Sequence, residues 1–154
     1  MNQIILCPTR GGAASYANQD RAISLARERQ AQLFFLYVAQ VEFLGLTARS
    51  KLVDMATELE EMGEFLLAMA QERAEKAGVK AGAIVREGLF NQVLIDVIRE
   101  YQVTSVVLGS SSGETAILTD EYVDRLVQDV RGETGVEFII VSSGEVVNVH
   151  SKDE

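Results

Sequence analysis

Val103-Thr104-Ser105-Val106-Val107-Leu108-Gly109-Ser110-Ser111-Ser112-Gly113 decides how the chain folds. It opens as a short, unbroken apolar run and passes straight into a loop of small residues. A helix-forming segment from Thr119 to Arg131 follows within a few residues. Strand, small-residue loop and helix in that order present backbone N–H groups to an anion. An unbroken run, as opposed to an alternating one, marks a strand covered on both faces, as in a parallel sheet.

Working outward, the same unit recurs. Gln3 to Pro8 is an apolar run closed by the only proline, and Pro8-Thr9-Arg10-Gly11-Gly12 is turn material. From Ser15 to Arg29, Ala22, Ile23, Leu25 and Ala26 oppose Asp20, Arg21, Arg27, Glu28 and Arg29, which predicts a helix with one face on a sheet. Leu33 to Val38 is a second continuous strand. Residues 41–50 are too irregular for a regular element and read as a packed connection or a lid. Leu52, Met55, Leu59, Met62, Leu66 and Met69 recur at three and four, predicting the longest helix, with its methionines as a core stripe and Gly78 as C-cap. Ala81 to Arg86 follows as a strand, and Val93, Leu94, Val97, Ile98 and Tyr101 mark a further helix. Phe138 to Val141 is the last strand, and the chain turns into a tail at Gly144.

Strict alternation of strands and helices implies an α/β three-layer sandwich, with helices on both faces of a parallel sheet. In such sheets ligands sit at the carboxyl ends of the strands where the strand order reverses. Two loops have the composition for that place, Pro8 to Gly12 and Gly109 to Gly113. The expected organisation is one domain over residues 1–144 and a tail over 145–154.

Composition narrows the function. At 154 residues and 47% hydrophobic content, the chain is long enough for a core without staples. A net charge of −9 opposes nucleic-acid binding, which depends on cations that neutralise phosphates. The single cysteine, Cys7, lies in an apolar run, so it reads as a core thiol and no disulfide framework follows. No apolar run approaches the ~20 residues of a spanning helix and no secretory leader is visible, so the expectation is no membrane insertion and a cytoplasmic location. His150, the only histidine, lies in the polar tail, so a Ser-His or Cys-His couple would need that tail to fold back over the sheet, and the acids lack the spacing of a calcium loop. A dedicated catalyst is not the expected reading.

These residues together resemble the universal stress protein family over nearly the whole chain. The resemblance rests on the opening Ile-Leu-x-Pro strand, the apolar strand ending at Val38, the Gly88 turn before an Ile/Val helix, and above all Ser105-Val106-Val107-Leu108-Gly109-Ser110. It implies an adenine nucleotide alpha hydrolase-like, five-stranded parallel sheet of order 3-2-1-4-5. It also implies dimerisation through the last strand and, in one branch of the family, ATP or AMP held between strands one and four, with Mg²⁺ for ATP. Carried onto this sequence, the nucleotide site falls on Pro8, Thr9, Arg10, Val38, Gly109, Ser110, Ser111, Ser112 and Gly113.

The motif departs from the nucleotide-binding pattern Gly-x2-Gly-x9-Gly-Ser/Thr. The second glycine comes one place late at Gly113, and Asp120-Glu121 or Val123-Asp124 stands where the closing Gly-Ser/Thr pair belongs. Carboxylates there repel a polyphosphate unless a cation intervenes. Alternatively they are first-turn acids of a helix capped by Thr119, supplying its own anion. Arg10 replaces the acid of the family's Pro-Val-Asp, and can pair with Asp120, Asp124 or a ligand phosphate, or stand exposed in a turn. Its Pro-Thr-x-Gly-Gly setting resembles family members attached to or associated with membrane transporters. Two readings follow: a homodimeric regulatory module with weakened or lost ATP binding and a protein partner such as a transporter, or an ATP/AMP-binding stress protein. In either, Val136 through Val141 is expected to be an apolar edge strand that pairs with a second copy. The stretch Glu145-Val146-Val147-Asn148-Val149 either adds a strand to that interface or is disordered.

Overall fold

The computed structural model describes residues 2–10, 13–39, 49–109 and 120–151. In chain order these form β1 (Ile4–Pro8), α1 (Ala13–Arg29), β2 (Gln32–Ala39), α2 (Arg49–Lys76), β3 (Ala81–Glu87), α3 (Phe90–Tyr101), β4 (Ser105–Gly109), α4 (Asp120–Thr134), β5 (Glu137–Ser142) and β6 (Glu145–His150). The expected alternation is present, and the expected packed connection over residues 41–50 falls mostly outside the described residues.

The strands form one sheet of order β3-β2-β1-β4-β5-β6, the first five parallel and β6 antiparallel to β5. The expected 3-2-1-4-5 sheet is therefore extended by a sixth strand. Residues 145–150, expected either to cross to a second copy or to be disordered, instead fold back on their own chain. That corrects the expectation that Val136 through Val141 is a free edge: Phe138 to Ser142 are paired with β6, and β6 is the edge. Ser143 and Gly144 both take positive φ in the connecting turn, 50° and 83°, and so reverse the chain within two residues.

Both faces of the central strands are dry, as the unbroken apolar runs require. Leu6, Leu36, Val106, Leu108, Phe138 and Ile140 face α3 and α4. Ile5, Cys7, Leu33, Phe35, Val107, Ile139 and Val141 face α1 and α2. At the opposite end of the sheet from the candidate loops, Arg29 donates to Glu137 Oε1 at 2.7 Å, and Ser105 Oγ donates to the same oxygen at 2.5 Å. Burial pushes the Glu137 carboxyl up, but the hydrogen bonds from Arg29 and Ser105 and the guanidinium charge outweigh it and hold it below its usual range.

The long helix corrects the reading of its core face. Of the expected stripe of Leu and Met, Leu52 and Met55 lie outside the described side chains, Leu59 and Leu66 are half-buried, and Met62 and Met69 are exposed. Among the described side chains of α2, those buried are Gly63, Leu67, Ala70 and Ala74, while Met62, Phe65 and Met69 are 51%, 66% and 37% exposed. The small residues win because they let the helix axis approach the sheet. A Cβ on Gly63 would stand 2.4 Å from the Tyr37 ring, so the ring occupies the space that a larger side chain would need. Gly78 ends the helix as expected, with φ +82° and Val79 N–H donating back to Ala74 O at 2.9 Å.

This rotation is testable by urea denaturation. Leu67→Ala is expected to lower the unfolding free energy by about 2–5 kcal/mol through loss of a buried side chain. Phe65→Ala should leave it within about 0.5 kcal/mol, the range of an exposed substitution. Equal losses at the two positions would overturn the assignment of the buried face.

Candidate functional site

The sheet order reverses between β1 and β4, and the pairing shows what that reversal does. β1 and β2 keep register over five residues, from Ile4↔Gln32 to Pro8↔Leu36. β1 and β4 keep it only at Ile5↔Ser105 and Leu6↔Val106. Beyond Leu6 the registered pairing of the two strands stops, and their carboxyl ends at Pro8 and Gly109 mark the switch point. In doubly wound sheets this is the place where ligands bind.

The residues around it are held by the first turns of α1. Thr9 N–H donates to Leu36 O at 2.9 Å, which ties the exit of β1 to β2. Gln19 Nε2 donates to Thr9 Oγ1 at 2.9 Å from a side chain that is 1% exposed, and its Oε1 is buried without a hydrogen-bond partner. Asn18 bridges the two ends of the site. Its amide nitrogen lies 2.7 Å from where a Cβ on Gly109 would stand, and its Oδ1 accepts from Gly144 N–H at 2.9 Å. Arg21 Nε donates to Gly144 O at 2.6 Å, so α1 holds both the end of β4 and the turn between β5 and β6.

Of the residues expected to bind a nucleotide, Pro8, Thr9 and Gly109 stand at the switch point and Arg10 is exposed beside it. Val38 is half-buried at the carboxyl end of β2, two residues beyond the partner of Pro8, and packs toward the α3 and α4 face. Ser110, Ser111, Ser112 and Gly113 lie outside the described residues, as does Thr119. Asp120 begins α4, and Glu121 and Asp124 are exposed on it. Arg10 and Asp124 form no ion pair, which removes one of the pairings expected for that arginine. Cys7 is buried beside Pro8, and burial pushes its thiol up to about 12, so it is held neutral and unreactive.

Sequence reasoning passed over Asn18 and Gln19. A signal for Gln19 was present: Gln19, Ala22 and Ala26 fall at i, i+3 and i+7, so a polar residue sits on the apolar face of α1. For Asn18 there was none, because its partners are residues 109 and 144, far along the chain.

Gly109 gives a prediction. Asn18 is tied to the Gly144 turn, so it cannot swing freely from an added methyl, and Gly109→Ala is expected to destabilise the protein by about 1–3 kcal/mol. In an Asn18→Ala background the same substitution should cost less than half as much. A double-mutant cycle in urea reads the difference; additive losses would show that Asn18 does not pack on Gly109.

Known proteins share this architecture and sequence pattern. A model of the universal stress protein family matches residues 1–141. A universal stress protein of Methanocaldococcus jannaschii is 27% identical over 128 residues, 81% of this chain and 75% of its own. Among solved structures, a universal stress protein from Lactobacillus plantarum superimposes with a TM-score of 0.73 at 16% identity, over 90% of this chain and 97% of its own. One from Archaeoglobus fulgidus, described in complex with dAMP, has a TM-score of 0.57 at 14% identity, over 91% and 97%. One from Arabidopsis thaliana, described with AMP bound, has a TM-score of 0.58 at 14% identity, over 91% of each chain.

Proposed function

Because this chain belongs to the universal stress protein family, we propose that it is a cytoplasmic regulatory module that binds an adenine nucleoside monophosphate between β1 and β4 and acts as a homodimer. The observation that carries the ligand is the end of registered pairing between β1 and β4 after two pairs, at the point where the strand order reverses, with Thr9, Arg10 and Gly109 at the carboxyl ends. Arg10 supplies a cation for one phosphate, and the residues 109–113 supply small side chains and hydroxyls for it. Glu121 and Asp124 at the start of α4 oppose a longer phosphate chain. A monophosphate is therefore favoured over ATP, which would need Mg²⁺, and the relatives described with AMP and dAMP are in keeping with that.

Calorimetric titration of AMP, ADP and ATP, each with and without Mg²⁺, tests this reading. AMP should bind at one per chain, ATP no more tightly, and Arg10→Glu should weaken AMP by about tenfold or more through loss of a charge-assisted bond. No heat with AMP at millimolar concentration would sink the ligand and leave regulation through protein contacts alone.

The dimer reading moves from β5 to β6. Val146, Val147 and Val149 are 41%, 58% and 47% exposed on this edge. The register passes from Val141↔Val146 to Ile140↔Asn148, so Val147 is an extra residue, a bulge. That shift puts Val146 and Val149 on one face of the sheet, and Glu145 and His150 on the other. A two-fold axis normal to the sheet preserves faces, so two β6 strands can pair with Val146 opposite Val149 and Glu145 opposite His150. Without the bulge those partners would fall on opposite faces. Charge exchange tests the register by sedimentation. The double variant Glu145→Lys, His150→Lys and the single variant His150→Glu should each weaken the dimer, because each sets like charges opposite one another, and a mixture of the two should restore it as a heterodimer. A mixture that stays as monomeric as its components would sink this pairing.

A further inference from the structure

The exposed face of α2 is the other large feature that the site does not use. Glu58, Met62, Phe65, Met69 and Glu72 recur at four, three, four and three, which places them in one line along the helix. Among the described residues Phe65, at 66%, is the most exposed of the large apolar side chains, and Met62 and Met69 lie one turn to either side of it. The line faces away from Gly63, Leu67, Ala70 and Ala74, so this chain's own core has no use for it. Solitary exposed apolar residues are ordinary; two turns of aromatic and methionine side chains in register are not.

The surrounding charge says what covers it. Glu58, Glu61 and Glu64 are exposed around Met62 and Phe65, and none forms an ion pair among the described residues. Glu72, beyond Met69, is paired with Lys76 on the same helix at 3.3 Å. Two copies packed antiparallel across this line would bring acid against acid, and an anionic membrane surface would be repelled by the same residues. A cationic partner is attracted. The ridge formed by Met62, Phe65 and Met69 fits the groove of another helix, and methionine adapts to the shape it meets.

We propose that the Met62-Phe65-Met69 face of α2 is a docking surface for a basic amphipathic helix of another protein, with Phe65 as its anchor and Glu58, Glu61 and Glu64 as the rim that selects positive charge. This surface is separate from the proposed nucleotide site and from β6, so its test stands whatever those show.

The probe is a fluorescein-labelled synthetic peptide of about 18 residues, long enough to hold a helix on binding. It carries leucines at i, i+3, i+4 and i+7 and lysines elsewhere, and is compared with the same peptide bearing glutamate in place of lysine. Fluorescence anisotropy on the full chain should show binding of the lysine peptide and none of the glutamate peptide. Phe65→Asp should weaken binding about tenfold or more, although it adds an attractive charge, because it removes the anchor. Phe65→Leu should retain binding, and the double variant Glu61→Lys, Glu64→Lys should weaken it several-fold. All variants are expected to melt as the parent does, since these side chains are exposed. The proposal is overturned if the lysine peptide does not bind, or if Phe65→Asp leaves its binding untouched, which would mean charge attraction alone. It is equally overturned if the chain self-associates and Phe65→Asp abolishes that, which would make a second copy the occupant.

Discussion

Everything in this molecule depends on β1 being buried on both faces while it is paired unequally on its two edges. Toward β2 it is hydrogen-bonded along its whole length; toward β4 the register stops after Leu6. Double-sided burial demands helices above and below, which forces strand and helix to alternate and the sheet to be wound in both directions from β1. Unequal pairing then leaves the carboxyl ends of β1 and β4 without registered pairing. The same constraint that makes the core makes the switch point, and it delivers Thr9, Arg10 and Gly109 to those ends.

Bracing of those strand ends is the work of α1, and it uses residues that no motif contains. Asn18 packs on Gly109 and accepts from Gly144, Arg21 donates to Gly144 O, and Gln19 reaches Thr9. One helix thereby joins the ends of β1 and β4 to the turn that starts β6. The buried, unpartnered Oε1 of Gln19 lies at the centre of that arrangement. An unsatisfied buried acceptor is costly unless another group satisfies it, and it marks a point where the apolar face of α1 is broken for a polar purpose.

The helix α2 shows how a pattern can be real and still be read on the wrong face. Its residues carry two interleaved stripes, one of Leu and Met, the other of Gly63, Leu67, Ala70 and Ala74. Hydropathy favours the first. Distance favours the second, because the ring of Tyr37 already fills the space against Gly63. Burial is decided by what fits between two backbones as much as by what is apolar, and only the sheet's own side chains set that gap.

From the sequence alone came the element order, the doubly wound class, the dry central strands, the C-cap at Gly78 and the strand ends Pro8 and Gly109 at the switch point. Each of these follows from local periodicity or from a turn residue's conformational preference, and such terms act within a few residues of chain. Tertiary structure decided which described stripe of α2 is buried, that Asn18 packs on Gly109 and Gln19 reaches Thr9, and that residues 145–150 return to cover β5. Those outcomes turn on contacts between residues such as 63 and 37, 18 and 109, and 138 and 150. The energy of such a contact is a property of the gap between two packed surfaces, and that gap does not exist until the chain has folded.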